Sequence, residues 1–524
     1  MKRRKLMTTT LAAVLTAFMC ISAPVAADDQ TASEPDVTTE SVAESVAEST
    51  AEVIQASGAP VVCTTVINRY EWSDDYSKYS IECEMPFIRL TPESAKQYPK
   101  LADKLDSMNK KSEKQLEKKY GELEKELESM MEQTDDPRIP LTYINKYYVQ
   151  RSDAHILSIL GVYTTYLGGA HGMYGYTGVN LDSATGKAIK LSHIVKDKDA
   201  FIEQLKTNLL SEYPDIDREV FDEYFSDIKL KKLTWTAGCD GITCYFEPYT
   251  LGAYAIGAPR AMVPFAGNES IFSEEITDAP ESYGVQLPLA EQMYVAGHSV
   301  TVYGEMSEYA DYKSFTVVVD GEKAVSDNHM AFNATGTYLH SGEGDYIYLD
   351  CFEDNDYHTI LVFKVNEGAA PELVGESSMG ADYVYDLNKE ERYGYVAFTD
   401  PYCMPMTVRV WLLSTVSGDE NFRVGSDGMP VDSNGYYDIY SNILLTLKKD
   451  VTFDTVGADG TPSGTADYKA GTTFSMIRTD NAGWVDLAAD DGSIARVNVE
   501  ANEWPQKVNG EDASELFDGM FFAG

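Results

Sequence analysis

Between Leu101 and Met130 the residues Leu101, Leu105, Met108, Leu116, Tyr120, Leu123, Leu127 and Met130 recur mostly at three- and four-residue steps, with Lys and Glu between them. That spacing puts them on one stripe of a long helix, and such a stripe must be buried against something. A coiled-coil partner or the chain's own sheet can cover it, and the flanking sequence supplies the sheet. Val61 to Trp72 and Tyr79 to Arg89 read as strands around Ser73–Lys78, and Thr142 to Gln150 and His155 to Tyr166 read as two more. Thr91 followed by Pro92 and Glu93 is a helix start, Pro99 begins the second helical run, and the stripe ends before Asp135-Asp136-Pro137. Asp199 to Tyr213 and Asp217 to Ile228 are shorter helices separated by Pro214, ahead of a strand near Leu233 to Thr236. Strands with segregated helices predict an α+β module over residues 61–275.

The rest reads as β-rich. Ser299 to Tyr303, Phe315 to Val319, Tyr346 to Cys351 and Thr359 to Val365 are short apolar or alternating runs between turn clusters, which predicts a sandwich or small barrel over 276–440. Charge marks the boundary near Thr277–Glu281: residues 61–275 carry a net −9 and residues 276–524 a net −29. At the other end, Lys2, Arg3, Arg4 and Lys5 precede a mostly apolar Leu6 to Ile21 and small residues up to Ala27, so residues 1–27 are expected to be a cleaved signal peptide. Residues 28–60 hold eight acids and no base, an acidic tether whose composition cannot repay ordering. The chain as a whole carries −42, and −46 once the first 27 residues leave with their four bases. Nucleic acid is excluded as a partner, because phosphate affinity needs excess cations, and cationic partners are favoured. A secreted protein with no membrane anchor after cleavage is expected.

Export to an oxidising space makes disulfides the expectation for Cys63, Cys83, Cys239, Cys244, Cys351 and Cys403, with six buried thiols as the alternative. A hairpin centred near residue 73 would set Cys63 opposite Cys83, with an approximate register because the turn at Ser73–Lys78 sits two or three residues later. The turn Cys239 to Cys244 has a cysteine on each side, which leaves Cys351 with Cys403.

Tyr166-Leu167-Gly168-Gly169-Ala170-His171-Gly172 opens an ordered set of motifs. It continues through Val179–Asp182, Thr185-Gly186-Lys187 and Leu191, and closes with Tyr245–Tyr249 and Tyr254–Gly257 running to Val263-Pro264. The set resembles the extracellular domain of the anti-sigma factor RsiV, a domain that also stands ahead of the catalytic domain in PdaC-type peptidoglycan deacetylases. The resemblance spans about residues 62–270 and implies a protein-binding module, with lysozyme as the partner in RsiV. Only five residues precede the apolar segment, which leaves no cytoplasmic part for a sigma factor. The histidines, at 155, 171, 193, 298, 329, 340 and 358, are never four apart, so the deacetylase His-x-x-x-His metal pair is absent. Further on, Lys469–Phe474, Gly483-Trp484-Val485, Asp491-Gly492 and Arg496–Val499 are similar to bacterial SH3-like domains, which predicts such a domain over 441–524.

The candidate contact residues follow. Gly168, Gly169 and Gly172 permit a tight turn that another chain can approach closely. His171 at its tip is either a partner contact or a loop anchor. Tyr249 and Tyr254 flank a Gly-containing bend and suit either a partner or the edge of a core. Trp484 is a groove residue for cell-wall glycopeptide or a barrel core residue. Catalytic patterns fail: Gly297–Thr301 lacks the last glycine of a nucleophile elbow, and Tyr437 stands where a calcium loop starting at Asp432 needs glycine. No catalytic residue, metal or cofactor is expected. The sequence points to an envelope binding protein for a basic protein such as lysozyme, with a wall-binding or structural protein, or an enzyme whose site has no recognisable motif, as alternatives.

Overall fold

The computed structural model describes residues 58–523 apart from 73–78, 134–138, 355–356 and 387–390. The expected signal peptide and nearly all of the expected tether lie outside the described residues. Strands β1 (Val62–Trp72) and β2 (Tyr79–Leu90) form the first hairpin. Thr91 caps helix α1 (Pro92–Gln97) by accepting from the Ser94 N–H, and Pro99 opens α2 (Pro99–Met131). Strands β3 (Ile139–Ser152), β4 (Ile156–Tyr166) and β5 (Met173–Asp182) follow.

Helix α2 covers its own sheet rather than a partner. Leu116, Tyr120, Leu123 and Leu127 pack with Ile81, Cys83, Met85 and Leu141, and Leu101 and Leu105 with Ile88, Leu157 and Ile159. Asn109 interrupts the apolar stripe for a reason. Strand β3 pairs in parallel with β2 only as far as Glu84, so Ile88 lacks a strand on that side. The Asn109 amide takes the strand's place: it accepts from the Ile88 N–H (3.0 Å) and donates to the Ile88 carbonyl (2.8 Å).

The sheet has seven strands, and two of them come from far along the sequence. Its order is Tyr383–Asp386, Glu391–Val396, β1, β2, β3, β4, β5. Cys63 faces Val396, Thr64 faces Tyr395, and the Ala397 N–H donates to the Val62 carbonyl.

A second layer is built by helices α3 (Leu191–Ile194), α4 (Lys198–Glu212) and α5 (Arg218–Ser226) on the three-stranded sheet β6 (Thr234–Ala237), β7 (Gly241–Tyr245), β8 (Arg260–Pro264). Their shared core holds Phe201, Leu205, Phe221, Trp235, Cys244 and Phe272. Arg151, at the end of β3, is fully buried and clips the layers together. Its Nε donates to Asp153 (2.6 Å), and its Nη atoms donate to the carbonyls of Gly238, Ile276 and Asp278.

Beyond residue 282 the regular elements among the described residues are strands, apart from one short helix at Ala513–Leu516, in keeping with the β-rich run pattern. A five-stranded antiparallel sheet docks on β3 through Gln286 of β9 (Tyr283–Leu287), which accepts from the Val149 N–H through Oε1 and from the Gln150 amide through its carbonyl. A four-stranded sheet contains His298–Met306 and Tyr312–Val319. A twelve-stranded sheet joins Met404–Val410 and Val416–Val424, through Tyr437–Ile439, to the strands between Leu444 and Asn498. No sheet among the described residues closes into a barrel. Across this last sheet one register row reads Asp438, Arg478, Asp486, Arg496, Asp454, so that acid and base alternate over five neighbouring strands.

The expected disulfides are corrected: all six cysteines are free. Register explains the first. The β1–β2 turn sits three residues later than a centre at residue 73, so Cys63 faces Arg89 and Cys83 faces Arg69. The two thiols are thus six residues out of register, about 20 Å along the strand. Cys239 occupies the β6–β7 turn while Cys244 faces Trp235 across the ladder. Cys351 faces Ala334 and Thr359, and the Cys403 thiol lies 3.5 Å from the Asn421 side-chain oxygen.

Candidate functional site

The loop from Leu167 to Gly172 joins β4 to β5, and the segment from Phe246 to Pro259 joins β7 to β8. The two segments meet through Tyr254. Gly168 takes a positive φ of 77°, which reverses the chain. Gly172 has no room for a side chain, because a Cβ there would come 2.9 Å from the Thr165 carbonyl. Gly169 differs: its φ is not positive, and a Cβ would meet nothing nearer than 3.9 Å.

Tyr254 ties the two segments together. Its ring stacks on the His171 ring, with centroids 4.1 Å apart and planes 26° from parallel, and its hydroxyl donates to the Gly172 carbonyl at 3.0 Å. Tyr249, itself at a positive φ of 69°, lies against Tyr254 at 5.4 Å, and Tyr174 meets Tyr254 edge-on at 6.5 Å. His171 also contacts the Gly172 carbonyl through Nδ1 at 2.9 Å, and the Tyr166 hydroxyl donates to the Gly169 carbonyl. Gly257, at φ 78°, allows the Tyr174 hydroxyl to approach within 3.1 Å of where a Cβ would stand.

Six of the expected residues, Gly168, Gly169, His171, Gly172, Tyr249 and Tyr254, are thus brought to one place, although about eighty positions separate the two segments. His171 serves the loop and stays exposed. Leu167, Met173 and Tyr249 stand 47%, 40% and 54% exposed around it, an uncommon grouping of large apolar side chains on a soluble surface. Tyr163, whose hydroxyl donates to Glu247 at 2.8 Å, extends the aromatic surface toward Tyr143. Burial and then the neighbouring Glu247 push the Tyr163 hydroxyl well above the ordinary phenol range, and Tyr174 is raised chiefly by burial, so both remain neutral donors.

Trp484 is elsewhere. It is half-buried on the twelve-stranded sheet, in no apolar core, with the Arg496 guanidinium 3.8 Å over its ring. No group of three metal-ligating side chains occurs among the described residues. The arrangement offers aromatic rings, backbone carbonyls and a shaped glycine loop, which are the materials of a contact surface.

Residues 91–174 match the family described as Deacetylase PdaC, and residues 185–266 match the family described as Protein of unknown function (DUF3298). Among solved structures, a DUF3298-family member from Bacteroides fragilis is 18% identical, with 42% of this chain and 96% of that chain covered and a TM-score of 0.33. A DUF3298-family protein from Pseudomonas aeruginosa is 15% identical, covering 41% and 95%, with a TM-score of 0.28. No curated protein matches the chain. The glycine loop lies in the first matched region and the tyrosine bend in the second, so each contributes one wall of the aromatic cluster. The N-terminal half of this chain is therefore similar to the PdaC family and then to the DUF3298 family, and the C-terminal half is not assigned to a family.

Proposed function

We propose that the chain is a bacterial envelope binding protein and that the His171–Tyr254 cluster is its contact surface for a small basic protein of the lysozyme kind. The two matched regions support the setting, since they relate the chain to envelope proteins of the peptidoglycan-deacetylase and RsiV kinds. The single observation that carries the surface is the joining of an exposed, glycine-shaped loop to an exposed tyrosine bend. Rings with polar tips fixed by backbone carbonyls are rigid anchors that lose little entropy on contact. The charge of −42 adds long-range attraction for a cationic partner and raises its association rate at low salt. No turnover is assigned to the site.

Calorimetry of the mature full-length chain with lysozyme, at about 0.15 M salt where the screening length is roughly 8 Å, separates a fitted surface from diffuse attraction. The fitted surface retains binding at that salt. Tyr254→Ala weakens it by about thirtyfold, the 2 kcal/mol scale of an interface anchor. Gly169→Trp, placed where a side chain has room, blocks the approach without unfolding the loop. No heat with the intact chain rejects lysozyme as the ligand, and binding indifferent to both substitutions rejects the surface.

A further inference from the structure

The alternating row on the twelve-stranded sheet contains an asymmetry. Asp486 is fully buried and serves two arginines. Arg478 donates to it through Nε and Nη2 (2.9 and 2.8 Å) and spends Nη1 on the Ala458 carbonyl, so every nitrogen of Arg478 is engaged. Arg496 donates through Nε and Nη2 (2.7 and 2.8 Å) and lies flat on Trp484, but its Nη1 has no hydrogen-bond partner among the described residues. Within the triad two guanidiniums share one carboxylate, Asp480 acts on Arg496 from nearby, and the open donor belongs to Arg496.

That residue lines a cavity of about 100 Å³ on the solvent face of the sheet, together with Thr452, Asp454, Thr465, Asn498 and Asn509. Phe453 contributes backbone, since its side chain is 4% exposed and packs in the core beneath. Asp454 is the direct cross-strand neighbour of Arg496, yet it forms no ion pair with it within 4 Å. Arg496 is drawn the other way, toward Asp486. The cavity is therefore lined by an arginine that keeps one open donor and, on the neighbouring strand, by a carboxylate outside any ion pair among the described residues, with amides and hydroxyls beside them.

We propose that this cavity binds a small free α-amino acid, its carboxylate on Arg496 Nη1 and the asparagine amides, and its ammonium on Asp454. Each alternative meets an obstacle on the same surface. A simple anion faces Asp454, and a simple cation faces Arg496. A neutral sugar lacks an open aromatic face, because the lining offers none and Trp484 is capped by Arg496. The cavity is open on its solvent side and has room for the charged ends of an α-amino acid such as glycine. Charge-assisted bonds at both ends are about twice as strong as neutral ones, and the triad holds Arg496 in place before any ligand arrives. The proposal is independent of the aromatic cluster, which lies on another sheet.

Calorimetric titration of the mature full-length chain with glycine tests it, with glycinamide, N-acetylglycine, glycylglycine and N-acetylglucosamine as companions. Saturable binding of glycine at one site is expected, with glycinamide and N-acetylglycine each at least tenfold weaker because each lacks one charge. Asp454→Asn, at an exposed position without an ion pair, is expected to weaken glycine at least tenfold while leaving the thermal unfolding temperature unchanged, and Asn498→Ala should weaken it less. Absence of heat up to about 10 mM glycine, ten times a dissociation constant of 1 mM, overturns the proposal. So does equal affinity for glycine and its two singly charged analogues, or glycine binding that Asp454→Asn leaves intact. Tighter binding of glycylglycine or of N-acetylglucosamine would assign the cavity to a different ligand and overturn it equally.

Discussion

Arg151→Met removes the clip between layers while keeping most of the aliphatic bulk, so the cost is electrostatic rather than a cavity. The side chain is wholly buried, and four groups lose a charged donor: Asp153 and the carbonyls of Gly238, Ile276 and Asp278. Asp153 keeps part of its support, since the N–H groups of His155 and Ile156 still donate to Oδ1 at 2.7 and 2.8 Å. Its Oδ2 is left buried and without its counter-ion. Breaking a buried pair on one side typically costs about 3–5 kcal/mol, much of it the stranded charge. With a urea dependence of about 2–3 kcal/mol/M, the midpoint should fall by more than about 1 M, read by far-ultraviolet circular dichroism. Arg151→Met combined with Asp153→Asn neutralises the stranded carboxylate and should recover part of the loss, because the two residues share one network. A midpoint shift below about 0.3 M, or a double variant no more stable than the single, would refute the reasoning.

Two further outcomes are expected. Asp382 precedes the strand Tyr383–Asp386, and Asp419 faces both Thr407 and Asp438 in its sheet. Burial, followed by Asp419 for Asp382, raises the carboxyl of Asp382, while burial raises Asp419 with a smaller push from Asp438. A carboxyl raised in the fold favours its protonated form there. The stability it lends is full below the ordinary carboxylate range and is lost as pH climbs toward neutrality. Melting between pH 4 and 8 should fall more steeply for the wild-type chain than for Asp382→Asn, and parallel curves would sink the assignment. As for the thiols, peptide mapping of Cys63, Cys83, Cys239, Cys244, Cys351 and Cys403 should recover all six unlinked. In the native chain Cys83 and Cys239 should alkylate slowly, because burial pushes each up to about 12. A cross-linked pair of peptides would contradict the register.

The local signals in the sequence were reliable where a single periodicity decided the outcome. The stripe from Leu101 to Met130, the cap at Thr91 and the prolines at 92 and 99 placed two helices to within a few residues. The glycine loop and the tyrosine bend were each found from their own residues, whereas the stacking of Tyr254 on His171 across about eighty positions was not anticipated. Register was harder. The turn at Ser73–Lys78 was legible, but pairing Cys63 with Cys83 needed a centre three residues earlier, and the observed register sets Cys63 against Arg89 because each residue of displacement shifts the pairing by two. Asn109 was missed although it left a trace, the gap in the stripe between Met108 and Leu116. Arg151 left none, since its acceptors are carbonyls scattered from residue 238 to 278, and backbone carbonyls carry no sequence signature. The open Nη1 of Arg496 was equally invisible, because it depends on which neighbour claims the other two nitrogens.

Strand β1 leaves the ribosome early, but the strand that covers its outer edge ends at Val396. Until then the nascent chain holds a hairpin whose row of backbone donors and acceptors from Val62 to Thr64 has no neighbour. Unpaired edges of this kind recruit other chains. Completion of the first sheet therefore waits for the intervening sheets to be synthesised and to bring residues 383–396 home. The pairing of Cys63 with Val396 spans more than three hundred positions, and closing so long a loop slows folding relative to the local elements.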